Sequence, residues 1–201
     1  IFFEHAISIN PNSPLAVYRL ARNYHKLKQY NEMKPLYQKL LTGYPENMTY
    51  QIQYCDLLIN LQEYEEAQME IKKLKDTSRT NKYPNIEVRK LAMLSSCSLK
   101  MKKLAEAEEY CIKALKKQPD NDQALVIYSR IAHNQGDYFL AEERWKEVLK
   151  KQPRHYSAKM GVARACFKRG DFIEGEKIIN DVINDDLHKH RIWPYIELIN
   201  L

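Results

Sequence analysis

Prolines divide this chain at nearly constant intervals. Pro11 and Pro45 stand 34 residues apart, Pro119 and Pro153 again 34, and Pro84 precedes Pro119 by 35. The one wide gap, 39 residues from Pro45 to Pro84, implies an insertion of about five residues in the polar run Asp76-Thr77-Ser78-Arg79-Thr80-Asn81-Lys82. A fixed period of this length is the mark of a repeated supersecondary unit, and it has to be read before any single element.

The phase holds at other offsets. Eight residues before Pro11, Pro45, Pro119 and Pro153 stand Phe3, Tyr37, Cys111 and Trp145, and five before stand Ala6, Leu40, Ala114 and Val148. Twelve before the last three come Met33, Ala107 and Ala141, and fifteen before come Tyr30, Leu104 and Tyr138. Steps of three and four trace one face of a helix. A second set lies further back: Val17, Leu20, Ala21 and Tyr24; Leu91, Leu94, Ser95 and Ser98; Leu125, Tyr128, Ser129 and Ala132. The small residue in each set lets a neighbouring helix approach closely. With turns such as Lys28-Gln29-Tyr30 and Gln135-Gly136-Asp137-Tyr138 between the two sets, each unit reads as helix, tight turn, helix.

In this pattern the chain resembles the tetratricopeptide repeat (TPR) family over nearly all its length. Ala124 to Pro153 is the nearest copy, with Leu125, Tyr128, Ser129, Gly136-Asp137-Tyr138, Ala141, Trp145, Val148 and Pro153 in the family's places. The copy from Met48 departs by its insertion, and the copy from Tyr156 carries Gly175 where the second helix usually has alanine. The resemblance implies an all-α, right-handed superhelical α-solenoid of stacked antiparallel helix pairs.

The register predicts a partial repeat at 1–13 whose helix covers 1–10, then repeats at about 14–47, 48–84, 85–121, 122–155 and 156–187. Their helix pairs are 14–27 with 31–42, 48–61 with 64–76, 85–100 with 104–117, 122–134 with 138–151, and 156–168 with 172–185. Pro35 is expected in the first turn after Asn31, where a backbone N–H has no partner to lose. A last helix at 188–200 either caps the array through Ile196, Leu198, Ile199 and Leu201 or offers them to another subunit or domain. Because one helical hairpin cannot bury its own apolar face, the array reads as a single domain.

Composition narrows the function. The chain has 44% apolar residues and only 5 glycines in 201, enough for a continuous core. Its net charge of +6 favours acidic partners without naming one. The longest uncharged apolar stretch, Leu91 to Leu99, is half of the ~20 residues a membrane helix needs. Cys55, Cys97, Cys111 and Cys166 are too scattered for a disulfide framework or zinc site and read as buried thiols of a cytoplasmic protein. The start at Ile1, without methionine, suggests a fragment of a longer chain, so a periplasmic or membrane-associated parent stays open.

Enzymatic motifs are absent: no G-x-G-x-x-G, G-x-x-x-x-G-K, G-x-S-x-G or H-E-x-x-H. Acidic clusters such as Glu63-Tyr64-Glu65-Glu66 and Glu106-Ala107-Glu108-Glu109 fall at helix starts, where they suit the positive end of the helix dipole. His188-Lys189-His190 lacks companion ligands. The expectation is a non-enzyme without catalytic, metal or cofactor sites.

In this family the first helix of each pair lines the concave groove. One residue after each small core residue come Arg22, Asp56, Ser96, Arg130 and Arg164; three further on come His25, Ile59, Leu99, His133 and Phe167; four before come Tyr18, Ile52, Ala92, Val126 and Met160. Three arginines among aromatic and aliphatic neighbours suit an acidic peptide or protein segment with apolar anchors. The places that clamp chaperone C-terminal tails in some relatives hold Tyr18, Arg22, Gln53, Arg89 and Met93, of which only Arg89 keeps the charge, so that tail is disfavoured. The reading is a protein-interaction scaffold. Its alternatives are the accessory part of a larger glycosyl- or sulfo-transferase and, less favoured, an RNA-binding helical repeat, against which Asp56 and the aliphatic rungs argue.

Overall fold

Helix starts in this chain are written in its caps. In the computed structural model, which describes residues 13–75 and 86–185, ten helices are found among the described residues and no strand. They are α1 (Pro14–Lys26), α2 (Tyr30–Gly43), α3 (Met48–Asn60), α4 (Tyr64–Lys73), α5 (Ile86–Lys100), α6 (Leu104–Lys117), α7 (Asp122–Gln135), α8 (Tyr138–Lys151), α9 (Tyr156–Arg169) and α10 (Phe172–Asn184). Four of the odd-numbered helices open on side-chain caps: Ser13 accepts from the Ala16 N–H, Asn47 from Thr49 and Tyr50, Asn121 from Ala124, and the His155 ring nitrogen from Ala158. The expected helix pairs are all present among these residues. The expected helices at 1–10 and 188–200, the 76–82 insertion and His188-Lys189-His190 lie outside the described residues.

Each hairpin turns in one way. Lys28, Gln62, Lys102, Gly136 and Gly170 have φ of 58, 65, 61, 84 and 84°. The N–H just after each reaches back five residues, as in Gln29 to the Tyr24 carbonyl at 2.9 Å and Asp171 to Cys166 at 2.9 Å. This left-handed closure is glycine's natural conformation, yet three of the five turns achieve it with a side chain in place.

The helices gather into two compact units, Ile1–Ile86 and Glu87–Leu201. In the first, α1 packs on α2, α2 on α3 and α3 on α4, over a core that includes Ala21, Met33, Tyr37, Leu40, Leu58 and Ile71. Lys34 on α2 bonds Glu63 and also Glu66 at 2.9 Å, and the Tyr54 hydroxyl of α3 donates to Glu66 at 2.9 Å. The acids at the start of α4 thus join three helices as well as facing a helix dipole. Lys34 holds Glu66 below the ordinary carboxylate value, whereas burial, followed by the bond to Glu66, pushes Tyr54 up to about 12.

One expectation needs correction here. Pro35 stands on the second turn of α2, because the helix begins at Tyr30 and runs through to Gly43. The ring costs the Asn31 carbonyl its helical donor, and burial of Met33, Tyr37 and Leu40 on the same helix offsets that loss.

In the second unit, α6 packs on α7, α8 on both α7 and α9, and α9 on α10. The small residues of the repeat allow the close approach expected of them and also bond across it. The Ser95 hydroxyl on α5 donates to the Ala107 carbonyl on α6 at 2.6 Å, and the Cys111 thiol on α6 donates to the Ala124 carbonyl on α7 at 3.1 Å. Burial pushes the Cys111 thiol up to about 12. All four cysteines are buried and none is in a disulfide.

Candidate functional site

Three first helices and one tryptophan line a concavity in the second unit. A cavity of about 500 Å3 is walled by α5, α7 and α9, and Trp145 of α8 lies at its base. Its cationic lining is Lys100 and Lys102 at the α5–α6 turn, Arg130 on α7 and Arg164 on α9; no carboxylate lines it among the described residues. Leu99, Ile127 and Met160 supply apolar wall.

Trp145 reaches this place because residue 161 is glycine. A Cβ on Gly161 would stand 2.4 Å from the indole Cε2, so the ring packs directly against the α9 backbone and is only 4% exposed.

The electrostatics follow from that enclosure. Arg130 is solvent-accessible but stands inside a concave wall. The loss of surrounding water, followed by repulsion from Arg164, pulls its guanidinium below the ordinary arginine value. His133, half-buried one turn along α7, is likewise held down by burial first, then by Arg164 and Lys168.

The expected groove residues divide as follows. Ser96, Arg130, His133, Met160 and Arg164 meet at this cavity. Val126 lies outside the lining: it is half-buried and packs against the core cluster that holds Trp145 and Val148, while Ile127 takes the cavity-facing place. Met160 shows at the wall although nearly wholly buried. Phe167 lies outside this cavity's lining. Its ring lies over Gly175, where a Cβ would stand 2.2 Å from the ring, and packs on Phe172 at 6.4 Å between centroids. The glycine that breaks the family pattern is therefore the seat of Phe167. Arg89 is half-buried on α5, outside the cavity lining.

In the first unit, Tyr18, Arg22 and Asp56 lie near enough to the Tyr37 hydroxyl to act on its charge, and Tyr18 packs against Tyr50 at 5.4 Å. The Tyr37 hydroxyl is itself buried with no hydrogen-bond partner among the described residues. His25 turns to the hairpin and packs edge-on against Tyr30 at 6.0 Å, an arrangement repeated by His133 on Tyr138 at 5.2 Å. Gln53 is half-buried on α3, and Ile52 and Ala92 are core rather than groove.

Sequence reasoning missed Gly161 and the exposure of Trp145's edge of the core to the cavity. It also missed Arg144, buried on α8, which stacks 3.1 Å above the Tyr128 ring centroid, donates to the Tyr128 carbonyl at 3.0 Å and approaches Glu108 at 3.8 Å. Nothing in one sequence distinguishes that arginine from a surface one. Among the described residues no cluster of three His, Cys, Asp or Glu is gathered for a metal ion, and no helix is long and apolar enough to cross a membrane.

Comparison with known proteins agrees with this architecture. Models of the tetratricopeptide repeat match residues 15–47, 91–121 and 134–181, together more than half of the chain. No curated protein matches in sequence. Among solved structures, a thermophilic TPR protein of Thermus thermophilus is similar at TM-score 0.76 and 14% identity, covering 94% of this chain and 98% of its own. The type IV pilus biogenesis factor PilW is similar at TM-score 0.74 and 17% identity, with 96% of this chain and 87% of its own covered. YrrB, described as a TPR protein with an unusual peptide-binding site, is similar at TM-score 0.58 and 16% identity, covering 99% and 98%. Matches in both units, and hairpins that close alike at every described turn, make this chain a member of the tetratricopeptide repeat family.

Proposed function

We propose that the chain is a non-catalytic scaffold that docks an acidic peptide segment, carrying apolar anchors, in the cavity of its second unit. The observation that carries this reading is the lining itself: four cations, no carboxylate among the described residues, and the apolar sides of Leu99, Ile127 and Met160 in one concave space. Arginine's planar fork suits carboxylates, and an apolar floor supplies the burial that surface ion pairs lack. YrrB, with the same fold, is described as having a peptide-binding site, which makes a peptide the natural class of ligand. Four buried cysteines, none in a disulfide, support a reducing compartment, the cytoplasm.

The test is selection from a random displayed peptide library on the immobilised chain and on an Arg130→Ala, Arg164→Ala variant of equal helicity. The reading expects sequences enriched in Asp or Glu near a large apolar residue, retained by the first protein and lost by the second. Selected peptides without acidic residues, or equal retention by both proteins, would sink it.

A further inference from the structure

We infer that the second unit's cavity is built for a phosphorylated side chain, so that docking of the peptide is switched on by phosphorylation. This rests on the peptide-docking reading above and deepens it.

The argument is one of charge and donors. Arg130 of α7 and Arg164 of α9 stand close enough for Arg164 to lower the basicity of Arg130, and the exposed Lys100 and Lys102 line the same cavity of about 500 Å3 at the α5–α6 turn. A single carboxylate brings one negative charge and two oxygens, fewer than this set of donors can engage. A phosphate monoester carries roughly −1.5 to −2 at neutral pH and three strong acceptor oxygens, so it can meet arginine forks and lysines from several walls together. Arg130 and His133 are both less basic than usual, through partial loss of water first and then through Arg164 beside them, which marks a place where positive charges stand close together. Such an arrangement is relieved most by the ligand of highest charge.

The same geometry favours a phosphopeptide over nucleic acid. Base recognition by single-strand binders relies on open aromatic faces. Here the Trp145 ring is closed against Gly161, Tyr156 is a half-buried aromatic of the lining rather than one of a row of open rings, and Leu99 and Ile127 supply apolar wall. The cations also gather at one cavity, whereas a backbone track needs them at successive intervals.

The experiment uses the whole chain and four pools of degenerate nine-residue peptides, alike except for a central phosphoserine, phosphotyrosine, glutamate or serine. Binding is read by fluorescence anisotropy. We expect at least one phosphorylated pool to bind about ten-fold more tightly than the glutamate pool, and Arg130→Gln with Arg164→Gln to abolish that difference while leaving the circular dichroism unchanged. Equal binding of the glutamate and phosphorylated pools would overturn the phosphate inference and leave the acidic-peptide reading standing. Failure of every pool to exceed serine would end both. Complete displacement of the phosphorylated pool by a short polyuridylate that binds more tightly would reassign the cavity to nucleic acid.

Discussion

Trp145 and Gly161 share one space: the indole occupies the position that a side chain on residue 161 would need. Gly161→Ala forces the ring or the helix to move, and overpacking of this kind is destabilising by about 1–3 kcal/mol. Urea unfolding measures the loss. Adding Trp145→Leu to Gly161→Ala should recover part of it, so a double variant no better than the sum of the two singles would show that the ring contact is not its cause.

The left-handed turns give a prediction of opposite sign. Gln62 holds φ at 65° with a side chain attached. Gln62→Gly removes that strain and is expected to stabilise by up to about 1 kcal/mol, with part of the gain lost to the looser unfolded chain. Gly136→Ala, at φ 84° in the matching turn, should cost about 1 kcal/mol. A shift of the urea midpoint in the same direction for both changes would refute the account.

Arg144 ties α6, α7 and α8 through Glu108, Tyr128 and its own helix. Arg144→Ala removes a charge-assisted hydrogen bond and a stacked cation together, and should lower stability by about 2–4 kcal/mol. Arg144→Lys keeps the charge but not the planar stack, and is expected to recover only a minor part. Full recovery by lysine would mean that charge alone matters there.

Acid should loosen the first unit through Glu66. Its folded value lies below the ordinary 4.5. The folded form therefore holds fewer protons, so the stability it contributes is complete above pH 4.5 and is lost as the pH falls through the folded value. Lys34, raised by its bonds to Glu63 and then Glu66, acts in the opposite sense, and its contribution fades only in strong alkali. Lys34→Met should flatten the acid limb of the stability curve. An unchanged slope below pH 4.5 would show that this ion pair plays no part in it.

Much of the fold was legible because the repeat places the same side-chain sizes at the same offsets. The spacing of Ala107, Cys111 and Ala114, or of Ala141, Trp145 and Val148, is a period that only a packed helix face explains, and those residues are buried as the pattern requires. The groove was harder to read. Counting from the small core residue found Ser96, Arg130 and Arg164, but a helix turn is not a whole number of residues, so rungs four positions away fell in the core at Ile52 and Ala92 and half-buried against it at Val126. Phe167 and His25 pack on partners five residues on, an attraction that the repeat register alone does not contain, whereas His133 makes the same contact and still lines the cavity. Gly161 carried no signal, since its meaning lies in a ring sixteen residues away.

A cavity wall with cations and no acidic residue among the described residues also sets how the second unit resists unfolding. Like charges held together oppose the folded state, and an anion that settles among them binds that state alone. At equal ionic strength, heat resistance of this unit should therefore climb from chloride through acetate to phosphate. A receptor of this kind registers its ligand twice, once as a bound partner and once as a higher melting temperature.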